Sequence, residues 1–306
     1  MSSQFRLLVT DLDNTLYDWV TYFTKSFFAM VEVAAHLLDT DIDSLCDDLK
    51  SVHQRHRNTE HPFALLETEA VKLKFPDMSR QDRASELDDA FHAFNKERKS
   101  HLQLYPGVAS TLRTIRESGV SIVGHTEATV PNAIFRLRSL GIEEDISRLY
   151  AVAPSGEGHP DPERAAELRE TRLPVRFLSQ EERKPDPQVL QDICNDMGVQ
   201  PEETLYVGDS ITRDIGMANE AGVRSAWAKY GTEYDRRLWD KLVTVTHWTN
   251  EDVQRAEMAR ERHGRAEPSV VLNSFSELRG LLDEMYSPPD QRDTDSLGGD
   301  EKAGES

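Results

Sequence analysis

The feature that most constrains this 306-residue chain is a succession of short apolar runs separated by helix-patterned stretches. The runs are Phe5 to Thr10, Val120 to Gly124, Leu149 to Ala153, Thr204 to Val207, Val223 to Ala228 and Ser269 to Leu272. Each is flanked by Gly, Asp or Ser and has the length of a buried strand. Helical patterns lie between several of them, at Gly107 to Glu117, Pro131 to Leu140, Asp186 to Met197 and Asp214 to Ala221. Helices recurring between buried strands imply a parallel sheet covered on both faces.

One interval breaks the alternation. From about Tyr17 to His101 there is no convincing strand, and the apolar spacing predicts roughly four helices. One runs through Trp19, Phe23, Phe27, Met30 and Val33, and one starts after Thr40. A third runs from Phe63 to Phe75 and a fourth from Ser79 to about Arg98. An insert directly after the first strand sits above the C-terminal edge of the sheet, where open α/β folds bind ligands. The expected fold class is therefore α/β, a Rossmann-like parallel sheet core with an inserted α-helical cap domain. The core takes residues 1–16 and 102–282, the cap 17–101. Two excursions interrupt the core. Residues 154–183 are loop-rich with a helical patch around Glu163 to Arg172. Residues 232–267 are charged, helical in pattern and longer than an ordinary strand connection, so they pack on the core or on another subunit.

Composition narrows the function. The formal charge of -19 opposes attraction to a nucleic-acid polymer or an anionic membrane surface. Part of it is local: from Asp283 to Ser306 there are eight acids against two bases and almost no apolar residue, which predicts a disordered acidic tail. No apolar run reaches the length of a bilayer span, and the first residues lack a signal-peptide pattern, so a cytoplasmic location is expected. Cys46 and Cys194 are too far apart and too few for a disulfide framework or a thiolate metal site. There is no GxGxxG, GxxxxGK[ST] or HExxH.

The chemistry gathers at strand ends. Asp11 and Asp13 close the first run, in RLLVTDLDNTLYDW. Thr126 lies in SIVGHTEA, Lys184 in EERKPDP, and Asp209 and Asp214 in LYVGDSITRD. In a parallel sheet the C-terminal ends share one edge, so a hydroxyl, an ammonium and four carboxylates can converge there.

These residues resemble a family. DxDxT as Asp11, Asp13 and Thr15, a strand-terminal Thr126, Lys184 in RKPDP, and GDx4D as Asp209 and Asp214 are similar, in order, to the four motifs of the haloacid dehalogenase-like hydrolases. The helical interval matches in position the cap that this family inserts after its first motif. The resemblance implies that Asp11 is a nucleophile that becomes an aspartyl-phosphate. It implies that Asp13 protonates the leaving group and then deprotonates water. Asp11 and Asp209 would bind a metal through carboxylates and Asp13 through its main-chain carbonyl, with Asp214 holding a ligating water or orienting the site. Phosphoryl transfer needs this inventory on its own terms: a nucleophile, a proton donor and positive charge. An anionic nucleophile is repelled by a phosphate dianion unless a divalent cation lies between them, and hard oxygen ligands favour Mg²⁺ over zinc. Lys184 would neutralise Asp11 and a phosphoryl oxygen, and Thr126 would fix the remaining oxygens.

The expected activity is Mg²⁺-dependent hydrolysis of a small phosphorylated metabolite such as a sugar phosphate, phosphoglycolate or a nucleoside monophosphate. The oligomeric state is open. Asp13 argues against dehalogenation, which needs no proton for its leaving halide. A phosphomutase or a catalytically idle binding or regulatory protein on the same scaffold remain alternatives. His53, His56 and His61, with Arg55 and Arg57, form a polar stretch of the cap. It reads as a solvated loop rather than a metal site, with a second anionic substrate group as its weaker role.

Overall fold

A computed structural model describes residues 5–154, 158, 160–161, 163, 171–179, 181–248 and 250–281. The tail expected at 283–306 and most of the helical patch expected at 163–172 lie outside the described residues. Seven strands form one parallel sheet: β1 (Leu7–Thr10), β2 (Ser121–Thr129), β3 (Arg148–Val152), β4 (Val175–Leu178), β5 (Thr204–Gly208), β6 (Arg224–Ala228) and β7 (Val270–Leu272). Their order across the sheet is β4-β3-β2-β1-β5-β6-β7. Six of these were expected from the apolar runs, while β4 falls inside the stretch read as a loop-rich excursion. It is short, it carries Arg176, and Phe177 faces solvent, so it shows neither alternation nor a continuous apolar run.

Alternate residues of β1 feed opposite faces of the sheet. Leu8 packs with α6 (Val108–Glu117) and α7 (Val130–Ser139) through Leu112, Ile115, Ala133 and Leu137. Leu7 and Val9 pack with α8 (Pro187–Met197) and α9 (Gly216–Glu220) through Val189, Leu190, Ile193 and Met217. The sheet builds outward from β1 in one direction and then returns to the other side of it as β5. This reversal leaves a crevice at the carboxyl ends of β1 and its neighbours.

Between β1 and β2 stand α1 (Trp19–Leu38), α2 (Ile42–His56), α3 (Glu69–Lys74), α4 (Arg80–Glu86) and α5 (Asp88–His101). Asp18 caps α1 by accepting from Thr21 N at 2.9 Å, and Trp19, Phe23 and Phe27 stack along one face at 5.2 and 5.4 Å between centroids. The third expected helix is a 3₁₀ turn over Pro62–Glu67 followed by α3, with Thr68 as the break. The fourth is α4 and α5, divided at Leu87. These helices have their own apolar core, separate from those on the two faces of the sheet. Two neighbouring chain crossings join cap and core: Tyr17 bridges Leu104, and Tyr105 N donates to Leu16 O at 2.9 Å.

The charged excursion 232–267 is a strap. Its first helix, α10 (Arg236–Val243), lies against the cap, where Leu242 and Val245 complete the cap's apolar core. Its second, α11 (Asn250–His263), returns to the core, where the His263 side chain fills the space that Gly216 leaves open.

Candidate active site

The first two carboxylates follow directly from the end of β1. Asp11 N donates to Val207 O at 2.8 Å, which continues the sheet one residue past Thr10 and points Asp11 into the crevice. Asn14, with a φ of 58°, turns the chain back immediately afterwards, and the Asn14 carbonyl lies where any side chain on Gly231 would stand. On the neighbouring strand, β5 ends in Gly208 and Asp209, and a single π turn over Ile211–Ile215 brings Asp214 back beneath them. Gly208 is required here, because a Cβ would occupy the space of the Asp214 carboxylate.

Lys184, reached through the loop after β4, is 6% exposed and pairs with Asp11 Oδ1 and, at 2.8 Å, with Asp214 Oδ1. Thr15 Oγ1 donates to the other oxygen of Asp11 at 3.1 Å. Asp214 Oδ2 accepts from Ser210 N at 2.9 Å and Oδ1 from Tyr206 OH at 3.1 Å, so all of its partners are donors. Asp11, Asp209 and Asp214 each offer a carboxylate oxygen, all within 4.8 Å of one another.

Three acids against one ammonium leave an excess of buried negative charge. Burial pushes Asp11 up to about 7 against the pull of Lys184, with Asp214 and Asp13 adding to the rise. Asp209 is driven well above the carboxylate range by burial and then by Asp214 and Asp11. Burial works against the charge of Lys184, but Asp11 and Asp214 outweigh it and hold the amine cationic. A buried cluster of hard oxygens short of positive charge is what a divalent ion of the Mg²⁺ type requires, and its binding would reverse these upward shifts. The residues present therefore fit such an ion, and Asp11, Asp209 and Asp214 can hold it.

Asp13 and Thr126 form a second group beside the first. Asp13 Oδ1 accepts from Arg136 Nη1 and from Tyr17 OH, both at 2.7 Å, and Thr126 Oγ1 faces Oδ2 at 3.5 Å. The Thr126 hydroxyl also accepts from Ala128 N at 3.0 Å. Arg136 is 1% exposed and binds Glu60 of the cap as well. Burial opposes its charge, but Glu60 and Asp13 hold its pKa well above the ordinary arginine value. Glu60 in turn accepts from Trp19 Nε1 and, at 3.1 Å, from Asn132 Nδ2.

The expected residues thus occupy one edge of the sheet, with Asp11, Lys184, Asp209 and Asp214 in direct contact or near contact and Asp13 and Thr126 adjoining. Arg136, Glu60, Tyr17 and Thr15 were not anticipated as partners. Arg136 had one visible signal, its place three residues after Ala133 on the buried side of a helix. The polar cap stretch needs a correction: His53 is fully buried and His61 is 7% exposed, because the strap and the Pro62–Glu67 turn cover them.

The model of the haloacid dehalogenase-like hydrolase family matches residues 5–171, and a HAD-hydrolase-like model matches residues 182–278. The chain belongs to the haloacid dehalogenase-like hydrolases. Among curated relatives, phosphoglycolate phosphatase 1 of Pseudomonas aeruginosa is 27% identical over 193 residues, 62% of this chain and 55% of that protein. A phosphoglycolate phosphatase of Salmonella choleraesuis is 30% identical over 184 residues, 60% of this chain and 53% of that protein. One from Mannheimia succiniciproducens is 25% identical over 246 residues, covering 78% and 92%. This haloacid dehalogenase-like chain spans about half the length of the Pseudomonas and Salmonella relatives. Among solved structures, a 2-haloacid dehalogenase from Pseudomonas syringae pv. Tomato has a TM-score of 0.55 at 17% identity and covers 92% of this chain and 100% of its own, a likeness of fold.

Proposed function

We propose that the protein is a Mg²⁺-dependent phosphatase that hydrolyses a small phosphorylated metabolite through an aspartyl-phosphate on Asp11. The observation that carries this reading is the buried contact of Lys184 with Asp11 beside Asp209 and Asp214. It gives one carboxylate a cation on one oxygen and a hydroxyl on the other, at the mouth of the crevice. Mg²⁺ held by Asp11, Asp209 and Asp214 would supply the charge that lets an anionic nucleophile approach a phosphate dianion. Asp11 attacks phosphorus, and Lys184 balances the charge on the equatorial oxygens in a dry pocket where each contact is strong. Asp13 gives a proton to the leaving oxygen and later takes one from the attacking water. Arg136 and Tyr17 fix the position of the Asp13 carboxylate for that exchange. The cap, which reaches the site through Glu60, excludes bulk water and selects the substrate.

A compact substrate suits a capped crevice, and the named activity of the relatives makes phosphoglycolate the first compound to try. The test is phosphate release from p-nitrophenyl phosphate and then from a panel of phosphorylated metabolites. Turnover is expected with Mg²⁺, to vanish on chelation and to return when the ion is restored. Asp11→Asn should abolish it. Turnover that survives Asp11→Asn, or the lack of turnover on every phosphate ester with Mg²⁺ present, would overturn the reading.

A further inference from the structure

The cap contains a second group of ligand-type side chains that the proposed reaction does not use. His56, at the end of α2, and His61 and Glu67, on either side of the Pro62–Glu67 turn, each present one ligand atom within 4.8 Å of the other two. His56 Nε2 lies 2.7 Å from Glu67 Oε2, and His61 Nε2 lies 3.5 Å from Glu67 Oε1. The two imidazoles meet edge to face at 5.1 Å between centroids.

The decisive detail is a pair of unsatisfied atoms. His61 Nε2 and Glu67 Oε1 are both buried, and their 3.5 Å approach to each other falls short of a well-formed hydrogen bond. Buried polar atoms left without a well-formed hydrogen bond are costly unless water or an ion completes their contacts.

We propose that His56, His61 and Glu67 form a binding site for a divalent transition metal of the zinc class in the cap, distinct from the oxygen cluster at the sheet edge. Two imidazoles and one carboxylate are the donors that zinc takes at about 2.0–2.2 Å, with a fourth position for water, whereas Mg²⁺ prefers all-oxygen shells. With the three ligand atoms no more than 4.8 Å apart, some point lies within about 2.8 Å of each, so closing to zinc distances takes side-chain shifts below about 1 Å. The nearest opposing charges are Arg55, whose Nη2 is 3.7 Å from Glu67 Oε2, and Arg80, whose charge reaches His61. Arg55 is more than half exposed and can turn to solvent. The ion would clamp the 57–61 connection, and that connection carries Glu60 to Arg136.

The test uses the full 306-residue chain, stripped by chelation and kept in excess Mg²⁺ so that the oxygen cluster is filled. Added Co²⁺ should give the strong visible absorption of a four-coordinate site, bleached by one equivalent of Zn²⁺, and Zn²⁺ should raise Tm. His61→Ala and Glu67→Gln should each weaken Zn²⁺ binding at least tenfold. Glu67→Gln keeps the side-chain shape, so at least one variant retains the fold, checked by circular dichroism. Wild-type protein with neither a visible band nor a Zn²⁺-dependent rise in Tm would overturn the proposal. So would a band that persists in a folded Glu67→Gln variant. Phosphatase activity does not enter either outcome, so the two proposals stand or fall separately.

Discussion

Lys184 carries an unusual share of this site, because it is the ammonium set against the buried carboxylates of Asp11 and Asp214 and the half-buried one of Asp209. Removing one partner of a buried ion pair leaves an uncompensated charge and typically costs about 3–5 kcal/mol. Lys184→Met keeps the volume and deletes the charge, so it should lower stability by about that amount in the absence of divalent ions. Mg²⁺ should then stabilise the variant more than it stabilises the wild type, since the ion is the remaining source of positive charge. Urea denaturation with and without Mg²⁺ measures both effects, and equal stabilisation of the two proteins would count against a shared site. The kcat of the variant should fall by about 10²–10³, the usual scale for losing a preorganised electrostatic contact. Asp11, Asp13, Thr126, Asp209 and Asp214 stand out in the sequence because they follow or adjoin apolar runs, where a buried strand has no structural need for carboxylates, whereas Lys184 adjoins no such run. Arg136 and Glu60 gave no such contrast. Each looks like an ordinary helix or loop charge until the cap folds over the core and buries the pair.

At the scale of elements, β4 and the strap mark the boundary of what periodicity reveals. Longer or more apolar strands announce themselves, but β4 has mixed burial and, among the described residues, lies at the edge of the sheet beside β3. The cap helices were legible because their apolar stripes are long, while the breaks at Thr68 and Leu87 depend on local turn geometry that the stripe does not encode. The strap was legible as helical yet not placeable. Its apolar residues are few, and the surface they complete belongs to a segment far away in sequence. Leu242 shows the dependence: it is 1% exposed, and its neighbours are cap residues rather than those of the sheet. Leu242→Ala should cost about 2–4 kcal/mol through lost burial and the cavity left behind. The loss should appear as deprotection of cap amides in hydrogen exchange, with the β-sheet amides unchanged. A uniform loss across the chain would mean that the strap does not belong to the cap.

For the whole molecule, the strap makes cap and core a closed circuit rather than a lid on two crossings. Lys241 pairs with Glu32 at 3.6 Å and lies over the Phe28 ring at 4.2 Å. Thr59 meets His247, and His53 Nδ1 lies 2.7 Å from Val245 O. At the other end α11 reaches the core, where His263 lies 3.5 Å from Glu220. His53 makes this circuit sensitive to acid. With Nδ1–H donating to the Val245 carbonyl, Nε2 is buried without a partner, so protonation would place a charge where nothing receives it. Burial pulls its pKa from 6.5 down to about 4. The unfolded chain therefore binds a proton that the folded chain refuses between those two values, and stability must fall as pH falls through that window. The contribution is fully present above about pH 6.5, amounts to something on the order of 3 kcal/mol, and is gone below about pH 4. Raised carboxylates such as Asp209 and Glu60 act in the opposite sense, so the whole-protein profile mixes signs. The difference between wild type and His53→Gln isolates the term, because the amide can still donate to Val245 O but does not titrate. The wild type should lose about 3 kcal/mol relative to the variant between pH 7 and pH 4, measured by urea denaturation. Parallel profiles would show that His53 takes up its proton without opening the junction of strap and cap.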